Sequence, residues 1–164
     1  MNILIFLHGT TIMHKAGAGV PREERVKQVI MGEKSVYEFD TYIPIGNVVK
    51  KLNTWVKQSA KIAYLSSHES IEDVKKDRIV LDRYEYPSGE VYYRKEGETY
   101  EDVVDRILPD VLIEDDCESI GGEPEMTYPN LRPEIKQKIK SIVVKEFEGI
   151  DKLPDDIERF LVSI

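Results

Sequence analysis

The sequence predicts a three-layer α/β fold, with a parallel sheet of about five strands and helices on both faces. Two features of the chain predict it. Short continuous apolar runs recur along the sequence, and such runs are typical of strands that are covered on both faces. Amphipathic or charged segments of helical length separate these runs, and this alternation implies right-handed crossovers between parallel strands.

The individual elements are predicted in order along the chain. Ile3 to Leu7 is a continuous apolar run, and 45–56 is the clearest helix, because its apolar residues recur at three- and four-residue steps. Thr99 and Asp102 have the spacing of a capping box, in which each side chain satisfies a free amide at a helix start. The predicted strands are 3–7, 62–65, 91–93, 111–113 and 142–144, the predicted helices are 21–30, 45–56, 71–84, 99–108, 133–140 and 155–161, and the predicted loops are 11–19 and 117–132.

Composition argues against several classes of function. The 164 residues carry a formal net charge of −8, whereas a protein that binds nucleic-acid phosphates needs a basic face. No apolar run approaches the roughly 20 residues of a membrane span, and residues 1–10 lack the layout of a signal peptide. Cys117 is the only cysteine, so no disulfide forms within the chain. We therefore expect one cytoplasmic domain over 1–164, with a small-molecule partner and neither a nucleic acid nor a membrane.

Polar clusters follow four of the predicted strands. They are His8-Gly9-Thr10, Ser66-Ser67-His68, Arg94-Lys95 and Glu114-Asp115-Asp116. In open parallel sheets, ligands bind beyond the carboxyl ends of the strands. The sequence therefore predicts one pocket at that edge, in which the functional atoms of six residues converge: His8, Thr10, Ser66, Lys95, Asp115 and Asp116.

The acidic cluster after the late strand predicts a metal site. Four carboxylates lie within residues 114–118, and crowded carboxylates repel one another unless a hard cation or cationic side chains relieve the repulsion. This pattern favours magnesium bound by Asp115 and Asp116. In a chain of charge −8, a solvated acidic loop is the alternative interpretation.

The candidate substrate-binding residues supply hydroxyl groups, amides and positive charge to an anion. They are Gly9, Thr10, Ser66, Ser67 and Arg94. Each pattern also has an ordinary structural interpretation: a strand-to-loop turn, a hydroxyl residue at a helix start, or a basic residue on the surface. Their order along the chain therefore matters more than any single cluster.

In that order the clusters resemble the haloacid-dehalogenase-like (HAD) superfamily of phosphohydrolases. In this family a first strand ends in Asp-x-Asp-Gly-Thr, a second ends in Ser or Thr, a Lys or Arg follows, and a late strand ends in paired acidic residues. The corresponding residues here are Phe6-Leu7-His8-Gly9-Thr10, Ser66 or Ser67, Lys95 or Arg94, and Asp115 with Asp116. The resemblance covers nearly the whole chain. It implies a Rossmann-like, HAD-like sheet, magnesium as cofactor, and a phosphate ester or nucleotide as substrate.

The first motif departs from the family pattern at two positions. In the family, the first Asp forms an aspartyl-phosphate and binds magnesium, and the second Asp is the general acid/base. Phe6 stands at the first position and can do neither, whereas His8 stands at the second and can exchange a proton near neutral pH. The resemblance therefore implies His8 and Lys95 as catalytic residues, without the covalent route of the family.

Two functions from different classes stay open at this stage. One is a divergent magnesium-dependent phosphohydrolase, and the other is a non-catalytic regulatory protein that binds a phosphorylated metabolite or nucleotide. A receiver-like phosphoacceptor domain is a third, but its acidic pair lies near the first strand, whereas Asp115 and Asp116 follow a late one. Segment 11–43 is too short for a large cap domain and is predicted to be a minimal cap or flap insert. An open site of this kind allows closure by a partner subunit, so a homo-oligomer also stays open.

Overall fold

The computed structural model describes residues 1–162 and contains a five-stranded parallel sheet with helices on both faces. The strands are β1 (Asn2–Phe6), β2 (Ile12–Met13), β3 (Ile43–Pro44), β4 (Lys61–Leu65), β5 (Val91–Tyr92), β6 (Val111–Asp115) and β7 (Lys140–Val144). The α-helices are α1 (Arg22–Ile30), α2 (Val48–Lys57), α3 (Ile71–Arg83), α4 (Tyr100–Ile107) and α5 (Pro133–Lys136). Within residues 1–162, no helix is both long and apolar enough to span a membrane.

The first strand lies at the centre of the sheet. The strand order is β5-β4-β1-β6-β7, and β1 pairs in parallel with β4 on one side and with β6 on the other. Ile3 is aligned with Ile62 in β4 and with Val111 in β6. The predicted α/β class, the five parallel strands and the central first strand are therefore confirmed.

The alternation of side chains along β1 divides the core into two layers. Ile3, Ile5 and Leu7 pack with α2, α3 and the 150–160 segment, whereas Leu4 packs with α4 and α5 on the opposite face. These three residues of β1 and Leu7 directly after it are at most 1% exposed, as expected for a strand that is covered on both faces. Phe6 points to the same side as Leu4 and is only partly buried.

The segment between β2 and β3 lies over the carboxyl edge of the sheet. β2 and β3 form a two-stranded antiparallel ribbon at its base, with Met13 aligned with Ile43. Between them are α1 and the short 3₁₀ helices 15–17, 34–37 and 39–41. The predicted loop 11–19 therefore contains a strand and a 3₁₀ turn, because its apolar residues pair with a segment about thirty residues further along.

Three predicted helices have different limits in the structure. The helix predicted from Ile45 begins at Val48, because Gly46 between them has φ +57° and breaks the helical path. The helix predicted for 133–140 ends at Lys136, and Lys140 begins β7 because it pairs with Val111 of β6. The final predicted helix, 155–161, is a 3₁₀ helix over Ile157–Phe160. The capping box of Thr99 and Asp102 is present as predicted.

Candidate active site

A cavity of about 390 Å³ lies beyond the carboxyl ends of β1, β4 and β6. Residues after these three strands form its floor, and residues of the segment between β2 and β3 form its roof. This is the edge at which open parallel sheets bind ligands. Its lining includes Phe6, His8, Gly9, Phe39, Tyr42, Ser67, His68, Tyr100, Asp115, Cys117, Ser119 and Glu146.

The turn after β1 places His8 in the cavity and brings Gly9 against Asp115 of β6. The amides of Thr11 and Ile12 both donate to the Leu7 carbonyl, so the chain reverses tightly around His8 and Gly9. Gly9 has φ +81°, and a Cβ atom there would lie 2.9 Å from Asp115 Oδ2. Glycine is therefore required at this position both by the backbone conformation and by the close approach of β6.

His8 is held between a serine and a buried carboxylate. Its Nε2 lies 2.8 Å from Oδ1 of Asp77, and its Nδ1 is hydrogen-bonded to the Ser67 hydroxyl. Asp77 is on α3, is fully buried, and also accepts a hydrogen bond of 2.5 Å from the Ser66 hydroxyl. The His8 side chain remains 16% exposed and lines the cavity.

Asp77 is ionised in this environment. Burial opposes its ionisation, but the neighbouring His8, the Ser66 hydroxyl and His68 together outweigh burial and lower the pKa of Asp77. A carboxylate can only accept hydrogen bonds, so His8 Nε2 must carry the proton that it shares with Asp77. In neutral His8 the lone pair then lies on Nδ1, which faces Ser67.

A second histidine lies beside the first. The rings of His8 and His68 are 4.5 Å apart between centroids, and His68 Nε2 is 3.7 Å from Asp77 Oδ1. This nitrogen is buried and has no hydrogen-bond partner among the described residues. Burial, together with the neighbouring His8, lowers the pKa of His68. His68 is therefore neutral near pH 7.

The opposite end of the site contains a group of three carboxylates. One oxygen each from Asp115, Asp116 and Glu146 lie within 4.8 Å of one another. Asp115 accepts from the Thr10 hydroxyl (2.7 Å) and the Cys117 amide (2.9 Å). Burial raises the pKa of Asp115 by more than these two hydrogen bonds lower it.

Glu146 and Asp116 complete this carboxylate group. Both carboxylate oxygens of Glu146 accept from Ser119, one from its amide and one from its hydroxyl, each at 2.7 Å. Burial raises the pKa of Glu146 despite these bonds. Asp116 accepts from the Glu146 amide (3.0 Å) and lies 3.3 Å from the ammonium of Lys145, outside the cavity wall. The clustered carboxylate oxygens have the donor chemistry that a hard divalent cation needs, and such a cation would offset the cost of burying the charges of Asp115 and Glu146.

The structure brings together most, but not all, of the residues predicted to form the site. His8, Ser67, Gly9 and Asp115 line the cavity, and Thr10 and Ser66 lie directly behind it, where they bond to Asp115 and Asp77. Asp116 is adjacent, in the carboxylate group.

The two basic residues that were predicted to approach the ligand lie elsewhere. Lys95 is exposed in the loop after β5, and its backbone amide and carbonyl both bond to Glu98. Arg94 packs over the Tyr100 ring at 4.1 Å, pairs with Glu69 and donates to the Ser67 carbonyl (3.3 Å), so it supports the wall of the cavity from behind. Among residues 1–162, none of the side chains that line the cavity is a lysine or arginine.

Sequence reasoning missed Asp77 and Glu146. Asp77 lies three residues after Val74 and four before Leu81, on the apolar face of α3, and a carboxylate inside such a stripe indicates a buried polar contact. Glu146 follows β7 by two residues, so the rule about strand ends that identified Asp115 would also have identified Glu146.

Phe6 occupies the end of β1, directly before the turn. Its ring lines the cavity and packs edge-to-face on Tyr100, with 5.1 Å between the ring centroids. The carboxyl edge of the central strand therefore presents an aromatic surface, where the resemblance places a carboxylate.

Comparison with known proteins supports the fold. No protein-family profile and no curated protein matches the chain. Among solved structures, the class C acid phosphatase from Bacillus anthracis, determined with tungstate bound, matches with a TM-score of 0.55 and 11% identity over 96% of this chain and 75% of that one. The two proteins therefore share the arrangement of a parallel sheet with helices on both faces. The crystal structure of a Thermotoga maritima protein that is assigned as a beta-phosphoglucomutase also matches. Its TM-score is 0.45, with 14% identity over 90% of this chain and 94% of that one.

The comparison with the acid phosphatase concerns architecture alone. At 11% identity the acid phosphatase shares the arrangement of the sheet with this chain, and it assigns no residue of the site. The function therefore depends on the chemistry of this site and not on the fold.

Proposed function

We propose that this HAD-like protein is a magnesium-dependent phosphohydrolase that acts on a small phosphate ester without forming an aspartyl-phosphate. The observation that carries the proposal is the placement of His8. An imidazole held by a buried carboxylate shares one cavity with the buried carboxylates Asp115 and Glu146. An acid/base group and a candidate cation site therefore face the same ligand volume.

The carboxylate group fits a bound magnesium ion. Asp115 and Asp116 would hold it, and Glu146 is close enough to join them. When bound, magnesium would polarise the phosphate and offset its negative charge. Because the cavity wall presents carboxylates and no lysine or arginine among residues 1–162, phosphate binding in this cavity depends on that charge.

His8 supplies the general acid/base function of the proposal. Asp77 fixes the proton on Nε2, so Nδ1 is the atom that exchanges a proton with a water molecule or a leaving group. Ser67, the hydrogen-bond partner of Nδ1, is the cavity hydroxyl closest to that exchange. Thr10 and Ser66 keep Asp115 and Asp77 in place, and Gly9 allows the turn. Phe6 leaves the strand end without a nucleophilic carboxylate, so water is the attacking group here.

A second function, ligand binding without turnover, is favoured by Phe6 specifically. The aromatic pair of Phe6 and Tyr100 closes the position at which the family's nucleophile would stand. Such a protein would bind a phosphorylated metabolite or nucleotide and act as a regulatory module.

The two functions are separated by measuring turnover and binding together. Hydrolysis of p-nitrophenyl phosphate with magnesium should be lost in the Asp115→Asn/Asp116→Asn double variant and should fall by roughly 10²-fold or more in His8→Asn, the usual scale of acid/base catalysis. Glu123→Gln, an exposed carboxylate of the same loop, is the matched control and should leave the rate unchanged.

Thermal unfolding with magnesium and inorganic phosphate tests the second function. A magnesium-dependent shift without turnover would replace the hydrolase with the regulatory protein. Neither turnover nor a shift would contradict both.

A further inference from the structure

We propose that Ser67 is a nucleophile for uncharged carboxylic esters, in a hydrolytic activity that needs no metal and is separate from the phosphate chemistry. The geometry that points to it is a continuous chain from hydroxyl to imidazole to buried carboxylate. Ser67 Oγ is hydrogen-bonded to His8 Nδ1, and His8 Nε2 lies 2.8 Å from Asp77 Oδ1. These are the three roles of a serine–histidine–aspartate triad, which is recognised by geometry and not by sequence order.

The two imidazole nitrogens are exchanged relative to the familiar triad, without chemical consequence. A neutral imidazole has one N–H donor and one lone pair, and either nitrogen can take either role. Here ionised Asp77 fixes the proton on Nε2, which leaves the lone pair of Nδ1 for the Ser67 hydroxyl. The base is thus held in the tautomer that can accept the serine proton.

The surroundings of Asp77 hold its carboxylate, and through it the His8 ring, in a fixed orientation. It is fully buried on α3, and its other oxygen accepts a hydrogen bond from Ser66. Ser66 in turn accepts from the His68 amide (3.1 Å), so the turn after β4 and the carboxylate fix each other. A carboxylate that is held at both oxygens positions the imidazole more firmly than a solvent-exposed one would.

Ser67 itself is presented to the cavity on a supported loop. It is partly buried and lines the cavity, and its carbonyl accepts from Arg94 at 3.3 Å. The guanidinium of Arg94 is held in turn by Glu69 and by the Tyr100 ring. The hydroxyl therefore faces ligand volume, and its backbone is anchored from the opposite side.

The walls near Ser67 favour an uncharged substrate. Phe39 and Tyr42 pack beside His8, with centroid distances of 6.4 and 5.4 Å, and Phe6 and Tyr100 form a second aromatic wall. Within residues 1–162, no lysine or arginine side chain lines this volume. An apolar acyl or aryl ester can bury its surface here without needing a counterion.

The proposed reaction is ordinary two-step acyl transfer. Ser67 Oγ bonds to the ester carbonyl carbon while its proton passes to His8 Nδ1, and the resulting tetrahedral intermediate expels the alcohol, which takes that proton. Water then attacks the acyl-serine and gives a proton to His8, and the Ser67 oxygen leaves and recovers it. The net change is ester plus water to acid plus alcohol.

A metal ion is the competing occupant of the same cluster. His8, His68 and Asp77 each offer a ligand atom within 4.8 Å of the others, and His68 Nε2 has no partner among the described residues. The hydrogen bond between His8 and Ser67 is what favours the nucleophile, because a metal site does not require that contact. Metal binding is therefore an outcome that the experiment must be able to reveal.

The experiment uses an ester and a covalent probe on the intact chain in EDTA. Hydrolysis of p-nitrophenyl butyrate is measured together with labelling by an alkyl fluorophosphonate, from which the serine oxygen displaces fluoride. Tandem mass spectrometry of the labelled protein should place the adduct on Ser67 and not on Ser66. This measurement needs no variant, so it stands even if a substitution prevents folding.

Variants then test the relay. Ser67→Ala should abolish labelling and ester hydrolysis, and Asp77→Asn should slow both by roughly 10³- to 10⁴-fold, as loss of the orienting carboxylate does in known triads. Ser88→Ala, in the exposed turn before β5, is the matched serine control and should match the unmodified protein. Circular dichroism and thermal unfolding confirm that each variant is folded.

Three results would overturn the proposal. The first is an absence of both turnover and label. The second is a label on Cys117 or on another residue in place of Ser67. The third is activity that EDTA removes and zinc restores, which would assign His8, His68 and Asp77 to a metal. Because the ester assay contains EDTA and the phosphate assay contains magnesium, the first two results leave the phosphohydrolase proposal intact. The third would also remove His8 as the acid/base of that proposal.

Discussion

Replacing Phe6 with aspartate should strengthen magnesium binding and destabilise the metal-free protein. Phe6 ends β1 beside β6, which ends in Asp115, and both side chains line the cavity. Two unit charges about 4 Å apart interact by about 4 kcal/mol at the effective dielectric near a protein surface. Even if desolvation consumes most of that energy, about 1.4 kcal/mol remains as a reasonable minimum, which is a tenfold gain in affinity.

The cost in stability follows from the packing of the ring. A fully buried Phe loses about 3–5 kcal/mol on truncation, and partial burial of Phe6 reduces this to about 2 kcal/mol. Loss of the edge-to-face contact with Tyr100 adds about 1 kcal/mol. We therefore expect about 3 kcal/mol, of which magnesium at 100 times its Kd should return about 2.7 kcal/mol.

Phe6→Asn is the matched control for this prediction. It removes the same ring and has nearly the same shape as aspartate, but it adds no charge. Calorimetry of magnesium binding should show the gain in affinity only in Phe6→Asp, and urea unfolding with and without magnesium should show a larger rescue in Phe6→Asp than in Phe6→Asn. Equal, tight magnesium binding by the unmodified protein and both variants would refute the placement of Phe6 at the metal site.

Two further predictions concern the turn and the second histidine. Gly9→Ala should lower the free energy of unfolding by about 2 kcal/mol in urea titrations, because φ is +81° and the new Cβ would lie 2.9 Å from Asp115 Oδ2. An unchanged free energy of unfolding would mean that the turn relaxes freely. The lowered pKa of His68 means that the unfolded chain takes up its proton first as the pH falls. Stability should therefore be complete above about pH 6.5 and should decrease below it, by less in His68→Gln than in the unmodified protein. A pH dependence that His68→Gln leaves unchanged would contradict this assignment.

The sheet could be predicted because its signal is local. Each central strand is a short apolar run, and the parallel order follows from the alternation with helices. The limits of the short elements could not be predicted in the same way. Residues 137–140 have a helical composition, yet the end of the helix is decided by the pairing of Lys140 with Val111, a contact between residues that are distant along the chain.

In the site, too, the residues with a local sequence signal could be predicted, and those that depend on long-range contacts could not. Asp115 and His8 were predicted because they lie at or just beyond the ends of strands, whereas Asp77 lies in the middle of a helix and meets His8 only through the tertiary fold. Lys95 and Arg94 were expected near the ligand because they follow a strand as well. The loop after β5 turns outward, however, and leaves the Lys95 side chain in solvent. Position after a strand predicts that a residue is near the edge of the sheet, but not which way its side chain points.

The central place of β1 has a consequence for how the protein is made. The ribosome produces this strand before either of its neighbours, since Ile3 pairs with Ile62 and with Val111. During translation β1 therefore stays exposed until β6 has left the exit tunnel, and chaperones have access to this apolar strand during that period. His8 emerges early, whereas Asp115 and Glu146 emerge late, so a chain arrested between them holds only one end of the cavity. The long sequence separation of these contacts also predicts slow folding for a domain of this size.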